Sequence, residues 1–367
     1  TMLSLALPLV VVGQTGSYVA AGLTTASYAI AAGIGGPLLG RLVDRIGARV
    51  VLGVTGGGQG LALLSIVLAA ATTSSAIWLA VGAAFAGFFN PPVSPVMRVL
   101  WSRQTRRELR DAAFAFESIT IDVLYILGPS LVALLIAVSP LNTTLIVAAA
   151  CSASGAGLLA LAAGPGGARQ AARSIHWLGP LRSKAVRRML PIAALLAGSL
   201  TVVDLSVIAF TTAHQAKAFA GIVIAAMSVG SVAGGIYWGS RPQPGTLRRQ
   251  LSLLLGAMTA GMIFLSLAPT VLLVGSLSIV VGLALAPSIT TEYSLMDTVA
   301  PPREITEAFS WLGTAGQVGA AGAVAIAGPF VTRLHHSGGF VVATVMIGAA
   351  ALYCALLAPE AIQHIDG

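Results

Sequence analysis

Four acidic residues stand inside long apolar runs: Glu117, Asp122, Asp204 and Glu292. An ionisable side chain in the middle of a bilayer helix costs at least ~2.5 kcal/mol on insertion scales, so each one needs a partner or a task. A carboxylate so placed can take up and release a proton, and its change of charge can be tied to the side of the membrane from which it is reached. For Asp122 and Asp204 this proton-coupling reading stays open beside a plainer one, an interhelical hydrogen bond or a pair with a nearby base. For Glu292 and Glu117 the plainer reading is favoured, with Arg98 and the basic loops as partners. Ser118, Asp122, Tyr125 and Pro129 follow one another at i, i+4, i+7 and i+11, one face of a helix, which is expected to point inward. Asp204 has Thr201 one turn before it and Thr211 two turns after it.

Uncharged polar, aromatic and sulfur-bearing residues extend the set: Tyr28, Asn90, Ser94, Tyr125, Met227, Ser231, Trp311, Thr314 and Gln317. Trp311, Thr314 and Gln317 share one helical face, and Asn90 and Ser94 share another. They are substrate-contact candidates, with helix-to-helix bonding as the alternative for each.

Other chemistry finds little support. The sequence has no phosphate-cradling Gly-Lys-Ser/Thr loop and no His or Cys cluster at metal-ligand spacing, which leaves an ATP-driven pump or a metalloenzyme without a basis. His335 and His336 are adjacent in an expected outer loop. Cys151 and Cys354 both lie in apolar runs, as packed thiols do. The expectation is a chain that is not an enzyme and holds neither metal nor cofactor, with a proton gradient as its energy source.

The elements that position these groups follow from composition. Of 367 residues, 56% are hydrophobic and only 9% charged, and the mean hydropathy is +0.91. A soluble domain carries about a quarter charged residues. Apolar runs near the ~20 residues that cross a bilayer recur along the whole chain. They fall at about 1–14, 17–41, 50–71, 75–101, 112–138 and 142–163, and again at about 188–213, 217–240, 249–268, 270–297, 305–332 and 339–358. This predicts an all-α integral membrane protein with twelve transmembrane helices in two bundles, 1–163 and 188–367, joined by a linker at 164–187. The linker contains Trp177 in a basic amphipathic stretch and either lies along the membrane or acts as a flexible tether. The first run is short and the chain opens at Thr1, so part of the first span is expected to be missing.

A net charge of +8 raises the question of nucleic acid, but the bases mark topology instead. With both termini in the cytoplasm, eighteen of the twenty Lys and Arg residues fall on the inner side, leaving Lys217 and Arg333 outside. The expected location is therefore the plasma membrane, and the excess of Ala, Gly and Arg points to a bacterial inner membrane.

The two halves repeat. A shift of about 195 to 200 residues brings Pro92 onto Pro287, Glu108–Phe114 onto Glu304–Phe309, Gly128-Pro129 onto Gly328-Pro329, and Gly36–Gly40 onto Gly235–Gly239. Four markers in the same order predict two similar bundles facing a cavity near the bilayer midplane, one rocking against the other.

Between the second and third spans the sequence runs Gly40-Arg41-Leu42-Val43-Asp44-Arg45-Ile46-Gly47-Ala48-Arg49. Gly40 permits close helix approach, Gly47 permits a tight turn, and the charges need a wet site. This stretch resembles the signature loop of the major facilitator superfamily, with Gly40, Asp44, Arg45, Gly47 and Arg49 at the family's spacing and Ala48 in place of a base. The resemblance implies that Asp44 approaches the start of the eleventh helix near Thr306 and latches an inner gate. The alternative is a solvated loop whose charges only set topology. Leu124 to Pro129 resembles the family's antiporter motif in its Gly128-Pro129 core, without the flanking glycines. The arginine usual in the fourth helix of proton-linked drug exporters is absent between Ala80 and Phe89.

The resemblance implies a secondary transporter, a drug or metabolite exporter of the proton-antiport type associated with multidrug resistance. Its substrate would be a small apolar or amphipathic compound moved by alternating access, with protons and the lipid bilayer as its other partners, no nucleic acid, and a monomer as the working unit. The alternatives are a sugar or polar-metabolite carrier of the same fold and a non-transporting receptor or lipid-handling protein.

Overall fold

The structure, a computed structural model, describes residues 2–72, 76–106, 109–163, 178–216, 219–241, 243–333 and 335–356. The amphipathic part of the linker, with Trp177, lies outside the described residues.

The described residues are helical nearly throughout. The helices are α1 (Met2–Thr15), α2 (Tyr18–Ile46), α3 (Ala48–Thr72), α4 (Ala76–Phe88), α5 (Val93–Gln104), α6 (Arg110–Val138) and α7 (Thr143–Ala162) in the first half. In the second half they are α8 (Lys184–Ala213), α9 (Ala220–Gly239), α10 (Leu247–Ser266), α11 (Val271–Gly282), α12 (Leu285–Val299), α13 (Ile305–Arg333) and α14 (His335–Leu356). The fourth span is α4 with α5, and the tenth is α11 with α12, which gives twelve spans. Ten of these are long and apolar enough by themselves to cross a bilayer.

Both interrupted spans correct a sequence expectation of unbroken helices. After Phe88, Asn90-Pro91-Pro92 ends α4, because neither proline has an N–H to continue the ladder. The break at Leu283-Ala284 has no proline, and Pro287 falls in the first turn of α12, where it is tolerated. His335 and His336 open α14 instead of lying in a loop.

Contacts divide the chain into two compact units. One comprises Thr1–Leu100, Leu124–Gly179 and Pro302–Thr314; the other comprises Trp101–Val123, Pro180–Pro301 and Ala315–Gly367. The first turns of α13 thus pack with the first-half helices, and the first turns of α6 with the second-half helices.

Within the first unit, α2 and α4 cross so closely that a Cβ on Gly35 would strike the Phe88 carbonyl, and one on Gly87 the Tyr28 carbonyl. Within the second unit, α9 and α11 cross the same way: a Cβ on Gly234 would strike the Leu283 carbonyl, and one on Gly282 the Met227 carbonyl. The sequence offsets are 199 for Tyr28 to Met227 and Gly35 to Gly234, and 195 for Gly87 to Gly282 and Phe88 to Leu283. The repeat is therefore present in backbone packing as well as in sequence. Small residues at such crossings replace the hydrophobic drive that lipid cannot supply.

Candidate functional site

The last turns of α2 carry Gly40, Arg41 and Asp44. Gly40 is buried, and a Cβ there would lie 3.0 Å from Glu307 Cα and closer still to the Ser310 hydroxyl, so α13 can approach only a glycine. That approach puts the Asp44 carboxylate over the N-terminus of α13. Asp44 Oδ1 accepts from the Thr306 N–H at 3.3 Å and Oδ2 from the Glu307 N–H at 2.9 Å. These amides belong to the first turn, where no intrahelical acceptor exists and the helix dipole is positive. An anion is well placed there, and its bonds are charge-assisted.

Arg41 completes the clasp. Its Nε and Nη2 donate to Glu307 Oε2 at 2.9 Å and Oε1 at 2.6 Å, a two-pronged ion pair. The Glu307 side chain is only 2% exposed, and the Trp311 indole N–H also donates to it, at 3.4 Å. One turn further along, the Thr314 hydroxyl donates to the Gly33 carbonyl at 3.2 Å. Of the proposed gating residues, Gly40 and Asp44 therefore sit on α13, whereas Arg45 and Arg49 are exposed. Gly47 caps α2 with φ +96°, a backbone conformation that favours glycine. Arg41 and Glu307 were not singled out from sequence.

A second polar knot lies in the other unit, at the ends of α5, α6 and α12. The Ser102 hydroxyl donates to Asp297 Oδ1 at 2.5 Å, Arg110 donates to Asp297 Oδ2 at 3.3 Å, and the Ser294 hydroxyl donates to Asp111 Oδ1 at 2.6 Å. The Asp297 side chain is 6% exposed. None of these five residues was singled out from sequence. The repeat shift puts the segment containing Arg110 and Asp111 opposite that containing Glu307, which is the one signal that marked them.

Deeper in the same unit, the Ser231 hydroxyl of α9 donates to Asp122 Oδ2 of α6 at 2.5 Å. Ser118, one turn earlier, bonds its own helix at the Phe114 carbonyl and lies 3.5 Å from the Thr290 hydroxyl. Asp122 and Ser231 are thus brought together, with Met227 buried one turn before Ser231. Asp204 is exposed on α8 and bonds to none of the other three acids. Glu117 and Glu292 are both buried. Tyr125 is 65% exposed, so the face it shares with the buried Ser118 is covered at one end only. Gly128 and Pro129 lie within α6.

In the first unit, Tyr28 and Asn90 meet through a residue that sequence reasoning passed over, Gln59 of α3. Ser94 is half-buried on α5 and Gln317 is exposed on α13. A cavity of about 590 Å³ between α1 and α2 is lined by Pro8, Leu9, Val12, Gly22 and Thr25, and by none of the candidate substrate residues. Among the described residues, no group of three or more His, Cys, Asp and Glu is placed to hold a metal ion.

The sequence model of the Major Facilitator Superfamily matches residues 1–324. The chain belongs to the Major Facilitator Superfamily. Solved structures of this superfamily's fold resemble it over nearly their whole length. A bacterial homologue of the iron transporter ferroportin, in an outward-facing state with soaked iron, has a TM-score of 0.73 at 14% identity, covering 96% of this chain and 94% of that one. A second structure, of a bacterial homologue of the iron transporter ferroportin in an outward-facing state, gives 0.75 at 12% identity with the same coverage. The human organic anion transporter MFSD10 (TETRAN) gives 0.72 at 14% identity, covering 91% of this chain and 83% of that one. No curated protein sequence matches the chain. At these identities the likeness establishes the fold, and family and fold together make the chain a multi-pass membrane transporter of the Major Facilitator Superfamily.

Proposed function

We propose that the protein is a proton-coupled exporter of small amphipathic compounds that works by alternating access in the plasma membrane, with both termini in the cytoplasm. The observation that carries the reading is the clasp of Asp44 and Arg41 on the first turns of α13, which ties the first repeat to the second. Its bonds are polar and local, so they can be made and broken as one bundle rocks, as no fused apolar core could be. Eighteen of twenty basic residues on one side of the spans supports the orientation.

Asp122 and Asp204 are the coupling candidates. Asp204 is exposed on a membrane helix; facing lipid it would carry the full cost of an unpaired intramembrane charge, and facing water it can exchange a proton. Asp122 accepts one hydrogen bond, from Ser231, at Oδ2, so protonation at Oδ1 would leave that bond in place. The test is transport of a fluorescent aromatic compound into proteoliposomes under an imposed pH gradient. Asp122→Asn or Asp204→Asn should abolish the response to the gradient while leaving downhill exchange. Unchanged gradient response in both variants would remove proton coupling through these carboxylates.

A further inference from the structure

Gln59 lies about half way along α3, is 2% exposed, and binds three elements at once. Its Nε2 is 3.1 Å from the Ala86 carbonyl, 3.2 Å from Asn90 Oδ1 and 3.5 Å from Tyr28 Oη, and its Oε1 accepts from the Ser152 hydroxyl. The starting point is the break in the fourth span. The Asn90 N–H, which would close the helical bond to Ala86, is instead bonded to the Gly87 carbonyl, so the Ala86 carbonyl is left to Gln59.

That bond fixes the orientation of the two amides in the cluster. A carbonyl only accepts, so the Gln59 atom facing it is the amide nitrogen, which only donates. The Asn90 atom facing the same nitrogen must therefore be its oxygen, and the two amide hydrogens go to Ala86 and Asn90, the nearer partners. Asn90 thus presents its oxygen inward and its NH2 outward, and the Tyr28 hydroxyl, 3.5 Å from a nitrogen that cannot accept, keeps its own proton to give. Neither of these two donors has a further acceptor among the described residues. Asn90 is exposed and Tyr28 half-buried, both near the middle of their spans. Donors without acceptors are costly in a membrane span, so each of these two groups calls for an oxygen to accept from it.

The second repeat has nothing like it. At the same offsets Tyr28, Gln59 and Asn90 correspond to Met227, Met258 and Leu285. The polar trio is peculiar to one half, so the fold does not require it.

We infer that Tyr28 and Asn90, set by Gln59, form a subsite for an acceptor oxygen of the transported compound, a carbonyl or carboxylate carried on an apolar body. This rests on the transport reading and names its substrate class.

Equilibrium binding to the purified full chain in detergent, with no gradient, tests it with three probes of one size: 2-naphthoate, 2-acetylnaphthalene and 2-naphthylmethylammonium. The unsubstituted protein should bind one or both oxygen-bearing probes more tightly than the ammonium, and which of them it holds tells carboxylate from carbonyl. Tyr28→Phe and Asn90→Leu should each weaken that binding roughly tenfold or more, the size of a lost hydrogen bond to a charged or well-placed group. Binding of the ammonium should stay within about twofold, well under one such bond. Gln59→Met, which installs the other repeat's residue, should act in the same direction; if it does not fold, the two single-donor variants carry the test. Equal affinity for all three probes, binding of none, or variants that hold the oxygen probes unweakened would overturn the subsite. Because no transport is measured, such a failure leaves the exporter reading standing, and a failure of gradient-driven transport leaves the binding result intact.

Discussion

Arg41 and Glu307, 266 residues apart in sequence, form a two-pronged ion pair in which the carboxylate is almost wholly buried. A pair at a protein surface is worth about 0–1 kcal/mol, but removing one partner of a buried pair leaves a charge without compensation. Arg41→Ala should therefore lower thermal stability more than Glu307→Gln does. The double variant should recover part of the loss, with a coupling of about 1–3 kcal/mol in a double-mutant cycle. Additive losses would show that the pair contributes nothing beyond its separate parts.

Asp297 should behave as a second tie. Its carboxylate holds Ser102 and Arg110. Asp297→Asn keeps the shape but loses the charge, so α12 should part more readily from α5 and α6. A cysteine introduced at Thr298 in a background without Cys151 and Cys354 should label faster with a water-soluble maleimide in that variant. Equal labelling rates would mean that the knot does not hold α12 to α5 and α6.

The glycine crossings predict a sharp contrast among Gly→Ala changes. At Gly87 and Gly282 the added methyl meets a backbone carbonyl that cannot rotate away, whereas at Gly33 nothing lies within 4 Å. Gly87→Ala and Gly282→Ala should each cost about 1–3 kcal/mol of stability, as overpacking does. Gly33→Ala should be neutral or slightly stabilising, because alanine favours a helix. Melting curves of the three variants in detergent measure this, and three equal curves would contradict the crossing geometry.

Ser231→Ala should separate bonding from coupling. It removes the donor to Asp122 without touching the carboxylate. Gradient-driven transport should persist with an altered rate, whereas Asp122→Asn loses the gradient response. Loss of the response in both would assign the effect to packing of α6 against α9.

What the sequence made legible depended on whether the signal was local. The twelve spans and the repeat were readable because bilayer length and paired Gly and Pro leave periodic marks along the chain. Asp44 was readable because its neighbours fall at a known spacing. Glu307 was not: it is one acid in an amphipathic first turn, and its partner comes from a distant helix. The break between Leu283 and Ala284 has no proline to announce it. Gln59 was not readable either: it is one amide in an apolar span, and its meaning comes from a carbonyl freed by a break in another helix.

The most direct test of the proposed gate uses Asp44→Asn, which keeps the side chain's shape and removes the charge that faces the amides of Thr306 and Glu307. Transport in proteoliposomes, normalised to the amount of inserted protein, should fall at least about tenfold, the equivalent of one charge-assisted hydrogen bond, with insertion and melting temperature little changed. Transport at the unsubstituted rate would contradict the clasp as part of the transport cycle.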